Sequence, residues 1–330
     1  MHIGMEEKMN ILILGAAGFI GTNLTLELAQ DTTNRLFLFD VEQADFSNVN
    51  NIESVEIIRG SFNEECDFEK LIENIDIVFH LVSTTYPSNS NKMIALEMQA
   101  NVIVTIKLLE ACIKNDVKKV VFLSSGGTVY GKAKSSPLVE SDSTYPISSY
   151  GIQKITIEKM LYLFNYLYEL DYSVIRLANP YGSYQKPNSG LGAVTTFTYK
   201  VLMGEPIQVF GDGSVVRDYI YIDDVIRGIL KITFDDVGAG VYSSDSGNPG
   251  EGKVFNLGSG EGHSLNDVIN TIQETLDKKI DIQYVEGRKV DVPFNVLDIS
   301  RYEKAYGKLN PISLSAGIEK LAEFMKKKYM

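Results

Sequence analysis

Near the start of the chain a short apolar run, Ile11 to Leu14, ends in Gly15-Ala16-Ala17-Gly18-Phe19-Ile20-Gly21, and a helical pattern begins at once. Few folds need glycines at that spacing between a strand and a helix. The first glycine allows a tight turn, the second lets backbone approach a bound group, and the third lets the helix pack closely on the sheet. The amino terminus of the helix then faces whatever the turn holds, and its N–H groups suit phosphate. Asp40 follows at the end of the second strand pattern, where a carboxylate can accept hydrogen bonds from an adenosine ribose. Strand, glycines, helix and acid in this order predict a dinucleotide site. Asp40 would repel a 2′-phosphate, and Val41, Glu42 and Gln43 bring no Arg or Lys, so the expected cofactor is NAD rather than NADP.

The rest of the first half repeats the alternation. Apolar runs at Leu36 to Phe39, Val55 to Ile58, Ile77 to His80, Val120 to Leu123 and Ser173 to Leu177 read as strands. Helical patterns lie at Phe19 to Ala29, Glu64 to Ile72, Met93 to Ile113 and Ser149 to Glu169. This is the βαβ rhythm of a doubly wound parallel sheet, an α/β Rossmann fold, over residues 9–178. Residues 179–330 mix shorter strands (Ile207 to Phe210, Tyr219 to Ile222, Val254 to Asn256) with helices at Val225 to Ile232, Leu265 to Leu276 and Ile312 to Lys328. They predict a smaller α/β lid that binds substrate, some of whose elements return to the first domain. Asp235 to Lys253, rich in Gly, Ser and Asp, has loop composition and is expected to be a mobile surface insertion. Residues 1–8 are an extension outside the fold.

Composition narrows the partners. With 31 basic and 43 acidic residues the formal charge is −12, which gives no electrostatic reason to bind nucleic acid or an anionic membrane. The two cysteines, Cys66 and Cys112, make no framework, and His2, His80 and His263 are too scattered for a metal site, so no metal is expected. No apolar run reaches the roughly 18 residues of a membrane helix, and the opening segment is too short and acidic for a signal peptide. The expected location is cytoplasmic.

Tyr150 and Lys154 stand four apart in a predicted helix, so both project from one face. An ammonium beside a phenol favours the phenolate, and such a pair can act as a general base near neutral pH. The strand before them ends in Ser124-Ser125-Gly126-Gly127-Thr128-Val129-Tyr130-Gly131, which offers hydroxyls beside lean backbone at the edge where α/β sheets bind ligands. His80, closing the fourth strand, reads as a packed residue without a chemical role.

Together these motifs resemble the extended short-chain dehydrogenase/reductase family, and nucleotide-sugar 4-epimerases most. The likeness continues through His80-Leu81-Val82, Asn101-Val102, Asn179-Pro180-Tyr181-Gly182, Gly211-Asp212-Gly213, Arg217 to Asp224, Asn256 to Gly260 and Asp291-Val292-Pro293. The resemblance implies that Tyr150 takes the proton from a sugar O4 while NAD oxidises C4, that a 4-keto sugar turns over, and that reduction on its other face inverts the centre. It implies cofactor contacts from Gly15, Gly18, Phe19, Ile20, Gly21, Asp40, Ser61, Phe62, Leu81, Val82, Ser83, Thr85, Asn101, Ser124, Tyr150 and Lys154. The nucleotide sugar, expected to be a UDP-sugar, would meet Asn179, Gln208, Phe210, Arg217, Arg288, Asp291 and Asn295, and the helices Met93 to Ile113 and Ser149 to Glu169 would pair in a homodimer.

Three departures qualify the likeness. Gly126 stands where the family has a catalytic Ser or Thr, so the hydroxyl on O4 must come from Thr128, Ser125 or a water; Thr128 is the expected donor. Gly60-Ser61-Phe62 replaces an Asp that commonly meets adenine, and Asn295 replaces a bulky residue, an exchange that would admit an N-acetylated sugar. A dehydratase, a 4-keto-sugar reductase and an NAD-sensing regulator remain as other readings. Gly127-Thr128 in place of Asp-Glu counts against the dehydratase, and Tyr150 with Lys154 against the regulator.

Overall fold

The structure is a computed structural model and describes residues 8–87, 89–132, 136–187, 192–235, 251–287 and 292–330. Two compact units divide the chain, one formed by residues up to Val129 with Ser148–Ile175, the other by Tyr130–Ile147 with Arg176 onward.

In the first unit the order is β1 (Asn10–Leu14), α1 (Phe19–Leu28), β2 (Arg35–Asp40), β3 (Val55–Arg59), α2 (Phe68–Leu71), β4 (Ile77–His80), α3 (Ile94–Met98), a π turn (Gln99–Ile103), α4 (Val104–Lys114), β5 (Lys119–Ser125), α5 (Ser149–Tyr168) and β6 (Asp171–Leu177), which crosses into the second unit. Ile11 to Leu14 are wholly buried, as a strand needs when helices cover both faces of a parallel sheet. The sheet runs β3-β2-β1-β4-β5-β6, with a seventh strand, at Val254–Leu257, beyond β6. Strand pairs β1 with β2, β1 with β4, β2 with β3 and β4 with β5 are parallel. Chain order reverses between β1 and β4, and a crevice opens at such a switch point.

Where the sequence predicts one helix from Met93 to Ile113, the π turn interrupts it between α3 and α4. The predicted helix Glu64 to Ile72 shrinks to α2, started by Asp67, whose carboxylate accepts from the Lys70 N–H at 3.1 Å.

The second unit adds β7 (Asn179–Tyr181), α6 (Ala193–Met203), β8 (Ile207–Phe210), β9 (Val216–Tyr221), α7 (Ile222–Phe234), β10 (Val254–Leu257), β11 (Gly262–Ser264), α8 (Leu265–Leu276), β12 (Ile282–Val285), β13 (Phe294–Asn295), α9 (Ser300–Tyr306) and α10 (Leu314–Tyr329). Strand β9 pairs with β7, β11 and β13, while β8 pairs with β12. Of the predicted insertion, residues 236–250 lie outside the described residues and Glu251–Lys253 forms a 3-10 turn. Residues 130–147 join this unit through buried polar bonds. Arg176 reaches the Tyr130 hydroxyl (3.0 Å) and the Glu140 carbonyl (3.1 Å), and the Glu140 carboxylate accepts from the Asn256 N–H at 2.8 Å.

Asp218, inaccessible to solvent, ties β9 to its surroundings: its carboxylate accepts from the N–H groups of Ser259 (2.7 Å), Gly260 (3.2 Å) and Leu297 (3.3 Å) and from the Ser259 hydroxyl. Asp218→Ala strands those N–H groups and should cost about 3 kcal/mol or more, seen as a lower urea midpoint; a midpoint within error of the parent would refute this account.

Candidate active site

The glycine turn follows β1 at the switch point. Gly15 has φ +84°, a region that side chains disfavour, and a Cβ there would stand 3.3 Å from the backbone of Leu81 and Val82 beyond β4. A Cβ on Gly21 would lie 2.4 Å from the Gly15 carbonyl oxygen and 2.7 Å from Ala16 Cα. The third glycine therefore lets α1 pack on the turn itself, rather than on the sheet as the spacing alone suggests. Gly18 caps α1 without any side-chain cap, so the helix start presents backbone N–H groups as a diphosphate requires. This lean cradle fits a dinucleotide.

Asp40, at the end of β2, accepts from the Ala17 N–H at 3.0 Å and the Val41 N–H at 2.8 Å. The acid is thereby fixed to the turn. Beside it in register on β3 stands Arg59, a cation that local sequence around Asp40 does not reveal. Its guanidinium donates to the carbonyls of Glu42 (2.6 Å) and Ala44 (3.0 Å) and stacks over Phe46.

Four of the residues expected at the cofactor also have partners within the protein. Phe62 is buried against Phe68 and His80, with ring centroids 5.4 and 5.2 Å away. The Asn101 amide, within the π turn, accepts from the Thr84 N–H and donates to the Thr84 hydroxyl and the Glu97 carbonyl. Thr85 donates to Gln153, and the Ser124 hydroxyl donates to the Glu158 carboxylate. Ser61 is exposed, and Leu81, Val82 and Ser83 follow β4, with the Ser83 hydroxyl on the Thr85 carbonyl.

At the end of β5, consecutive residues meet one face of α5. The Leu123 carbonyl accepts from Lys154 Nζ at 2.8 Å, Ser124 bonds Glu158, and Ser125 hydrogen-bonds the Tyr150 hydroxyl. Lys154 is 5% exposed, and Nζ sits 4.7 Å from the Phe122 ring centroid and 5.6 Å from that of Tyr150. Burial lowers the Lys154 ammonium to about 8 against the pull of the Glu158 charge. It also pushes the Tyr150 phenol up to about 12, against the Ser125 bond that favours the phenolate. Tyr150 and Lys154 line one small cavity with Val82, Ser83 and Asn101. The hydroxyl on Tyr150 is thus Ser125, whereas Thr128 Oγ1 is buried with no hydrogen-bond partner among the described residues.

A second set of bonds sets the pitch of α5. Ser148 caps it through the Gly151 N–H, the Ser149 N–H donates to Asn91 at 2.7 Å, and Gln153 donates to Ser149 and Glu97. Sequence reasoning missed Glu97, Gln153 and Glu158. For Glu158 a signal existed, the spacing 150-154-158 on one helical face.

Within the second unit, Asn179 donates to the Asp218 carbonyl at 3.0 Å, and Arg217 donates to the carbonyls of Val216 (2.9 Å) and Val292 (2.6 Å). Asn295, 1% exposed, lies in register with Arg217 across β13 and β9. Gln208 and Phe210 occupy the exposed face of β8. Arg288 and Asp291 lie outside the described residues.

Residues 11–243 match the model of the NAD dependent epimerase/dehydratase family. Among solved structures, the UDP-glucose 4-epimerase of Thermotoga maritima with UDP-glucose superposes with a TM-score of 0.87 at 32% identity, covering 98% of this chain and 100% of that one. A UDP-N-acetylglucosamine 4-epimerase from Methanobrevibacter ruminantium, in complex with UDP-N-acetylmuramic acid, gives 0.86 at 28%, covering 98% and 99%. An Escherichia coli dTDP-4-dehydro-6-deoxyglucose reductase is 31% identical over 323 residues, 95% of this chain and 96% of its own. Among the described residues no helix is long and apolar enough to cross a membrane.

His80 is 2% exposed, with Nε2 2.8 Å from the Thr105 hydroxyl and its ring between Phe62 and Phe122. Burial, with the nearby Lys154 charge, depresses its pKa to about 3. Unfolded histidine titrates near 6.5, so the unfolded chain binds the extra proton between these values. Stability from a neutral His80 is full above pH 6.5 and is lost as pH falls towards 3, by at most about 1.4 kcal/mol per pH unit. The slope of melting temperature against pH between 6.5 and 4.5 should be shallower in His80→Gln than in the parent; equal slopes would overturn the assignment.

Proposed function

The chain belongs to the NAD dependent epimerase/dehydratase family, and we propose that within it the protein is a UDP-sugar 4-epimerase of the UDP-glucose/UDP-galactose type that also accepts N-acetylated sugars. The observation that carries this reading is the Tyr150 hydroxyl bonded to Ser125, with the Lys154 ammonium buried beside it.

When bound, NAD supplies the oxidant at C4 and returns the reducing equivalent, and its cationic ring adds to the field that favours a phenolate. Tyr150 takes the O4 proton as the carbon is oxidised and gives it back on reduction. Ser125 donates to the same oxygen, the part the departures at Gly126 left open. Lys154, held on the Leu123 carbonyl, keeps a positive charge beside the phenol and lowers the cost of ionising it. Gly15, Gly18 and Gly21 would cradle the diphosphate of the cofactor, and Asp40 its ribose.

For the substrate, Arg217 and Asn179 would hold the nucleotide diphosphate, since a guanidinium pairs phosphate oxygens bidentately. Asn295 offers a compact amide beside Arg217, and the relative that acts on UDP-N-acetylglucosamine supports an acetylated substrate. Gly127 and Thr128 leave no acid and base for dehydration, and Asp40 disfavours an NADPH-dependent reductase. A homodimer is the assembly we infer. Leu108 and Leu161 cover their own sheet, but Leu96 and Leu167, with Ile94 and Ile152, leave apolar surface exposed on α3 and α5. Sedimentation should give a dimer that Leu96→Glu with Leu167→Glu splits; a monomeric parent refutes it.

NMR of a UDP-sugar panel incubated with the protein and NAD should show inversion at C4, with Tyr150→Phe slower by about 10²–10⁴-fold. Loss of the C6 methylene protons would mean a dehydratase. Stoichiometric consumption of NADPH or NADH with a 4-keto sugar would mean a reductase.

A further inference from the structure

Three residues at four-residue spacing, Tyr150, Lys154 and Glu158, share one face of α5, and the end of β5 meets each of them. Two have roles in the reaction. Glu158 has none so far, yet it is only 4% exposed, and an ionised carboxylate that far from water is costly unless charge and hydrogen bonds offset it. Ser124, equally buried, donates its hydroxyl to Glu158, and the Glu158 charge acts on the ammonium one turn earlier in the helix.

We propose that Glu158 is a positioning residue: its buried carboxylate, anchored on Ser124, keeps the Lys154 ammonium charged and seated on the Leu123 carbonyl beside Tyr150. The inference rests on the epimerase reading for its consequence in turnover, but its physical content concerns the state of Lys154 alone.

The groups facing Lys154 leave that task to Glu158. On α5 the Tyr150 phenol is held protonated by burial. From β4 comes His80, neutral above pH 4 because burial depresses it, so it adds no competing charge. From β5 come the Ser124 and Ser125 hydroxyls and the Leu123 carbonyl, and from the π turn and α4 the amide of Asn101 and the hydroxyl of Thr105. On β6, Tyr172, whose phenol burial pushes upward, lies near Glu158, and Asp171 pairs with Lys119 at 3.8 Å. Burial pulls the ammonium towards loss of its proton, and the carboxylate opposes that loss.

Glu158→Gln separates charge from anchoring, because the amide oxygen still accepts the Ser124 hydrogen bond. A side-chain ¹⁵N NMR titration of Lys154, assigned with Lys154→Met, should show its midpoint lowered by about one pH unit in Glu158→Gln. The alkaline limb of kcat/KM for C4 inversion should move down by the same amount, with turnover below the limb changed less than threefold. Glu158→Asp, which keeps the charge on a shorter arm, should restore both midpoints to within about 0.3 unit. A Lys154 titration unmoved in Glu158→Gln overturns the proposal, and so does a full-unit drop in Glu158→Asp, which also decides the matter if the glutamine variant fails to fold. A displaced titration in a protein that inverts no sugar sustains this inference and sinks the epimerase reading instead.

Discussion

A lysine ammonium almost wholly removed from water is the constraint around which the first unit is organised. Burying it is unfavourable unless oxygen atoms and an opposite charge surround it. The end of β5 provides a backbone carbonyl, α5 provides the Glu158 charge, and the faces of Phe122 and Tyr150 add aromatic contact. Those demands fix α5 against β5 to within the reach of a hydrogen bond. Tyr150 lies one turn earlier on the same face of α5, and its hydroxyl meets the side chain of Ser125.

The switch between β1 and β4 supplies the other half of the site. Gly15 lies against backbone that follows β4, and Gly21 against the carbonyl of Gly15, so no side chain larger than hydrogen fits at either place without displacing main chain. Close packing of turn, helix and strand end leaves backbone N–H groups facing outward, and Asp40 is tied to the turn by the Ala17 N–H. The cradle and the phenol–ammonium pair belong to the same compact unit and stand at the same edge of one sheet.

Legibility in the sequence tracked the range of the interactions involved. The strand Asn10–Leu14 is readable because burial on both faces makes a continuous apolar run, and α8 because Ser264 and Asp267 form a capping box before a strong apolar stripe. Helix α6, Ala-Val-Thr-Thr-Phe-Thr-Tyr-Lys-Val-Leu-Met, has the β-branched and aromatic residues of a strand and is helical only because tertiary packing overrides propensity. The π turn at Gln99–Ile103 leaves no local trace, and neither does the attachment of residues 130–147 to the second unit, which depends on Arg176 and Asn256 far along the chain.

From spacing alone came the glycine turn, the acid at the end of β2 and the phenol and ammonium on one helical face, since each is a relation among neighbours in the chain. Only the folded chain decided that Ser125 rather than Thr128 meets Tyr150, that Phe62, Thr85, Asn101 and Ser124 find partners within the protein, and that Glu158 lies buried behind the lysine. Each of those outcomes compares the hydrogen-bonding needs of groups brought together by packing, and a sequence records the groups without the distances at which they compete.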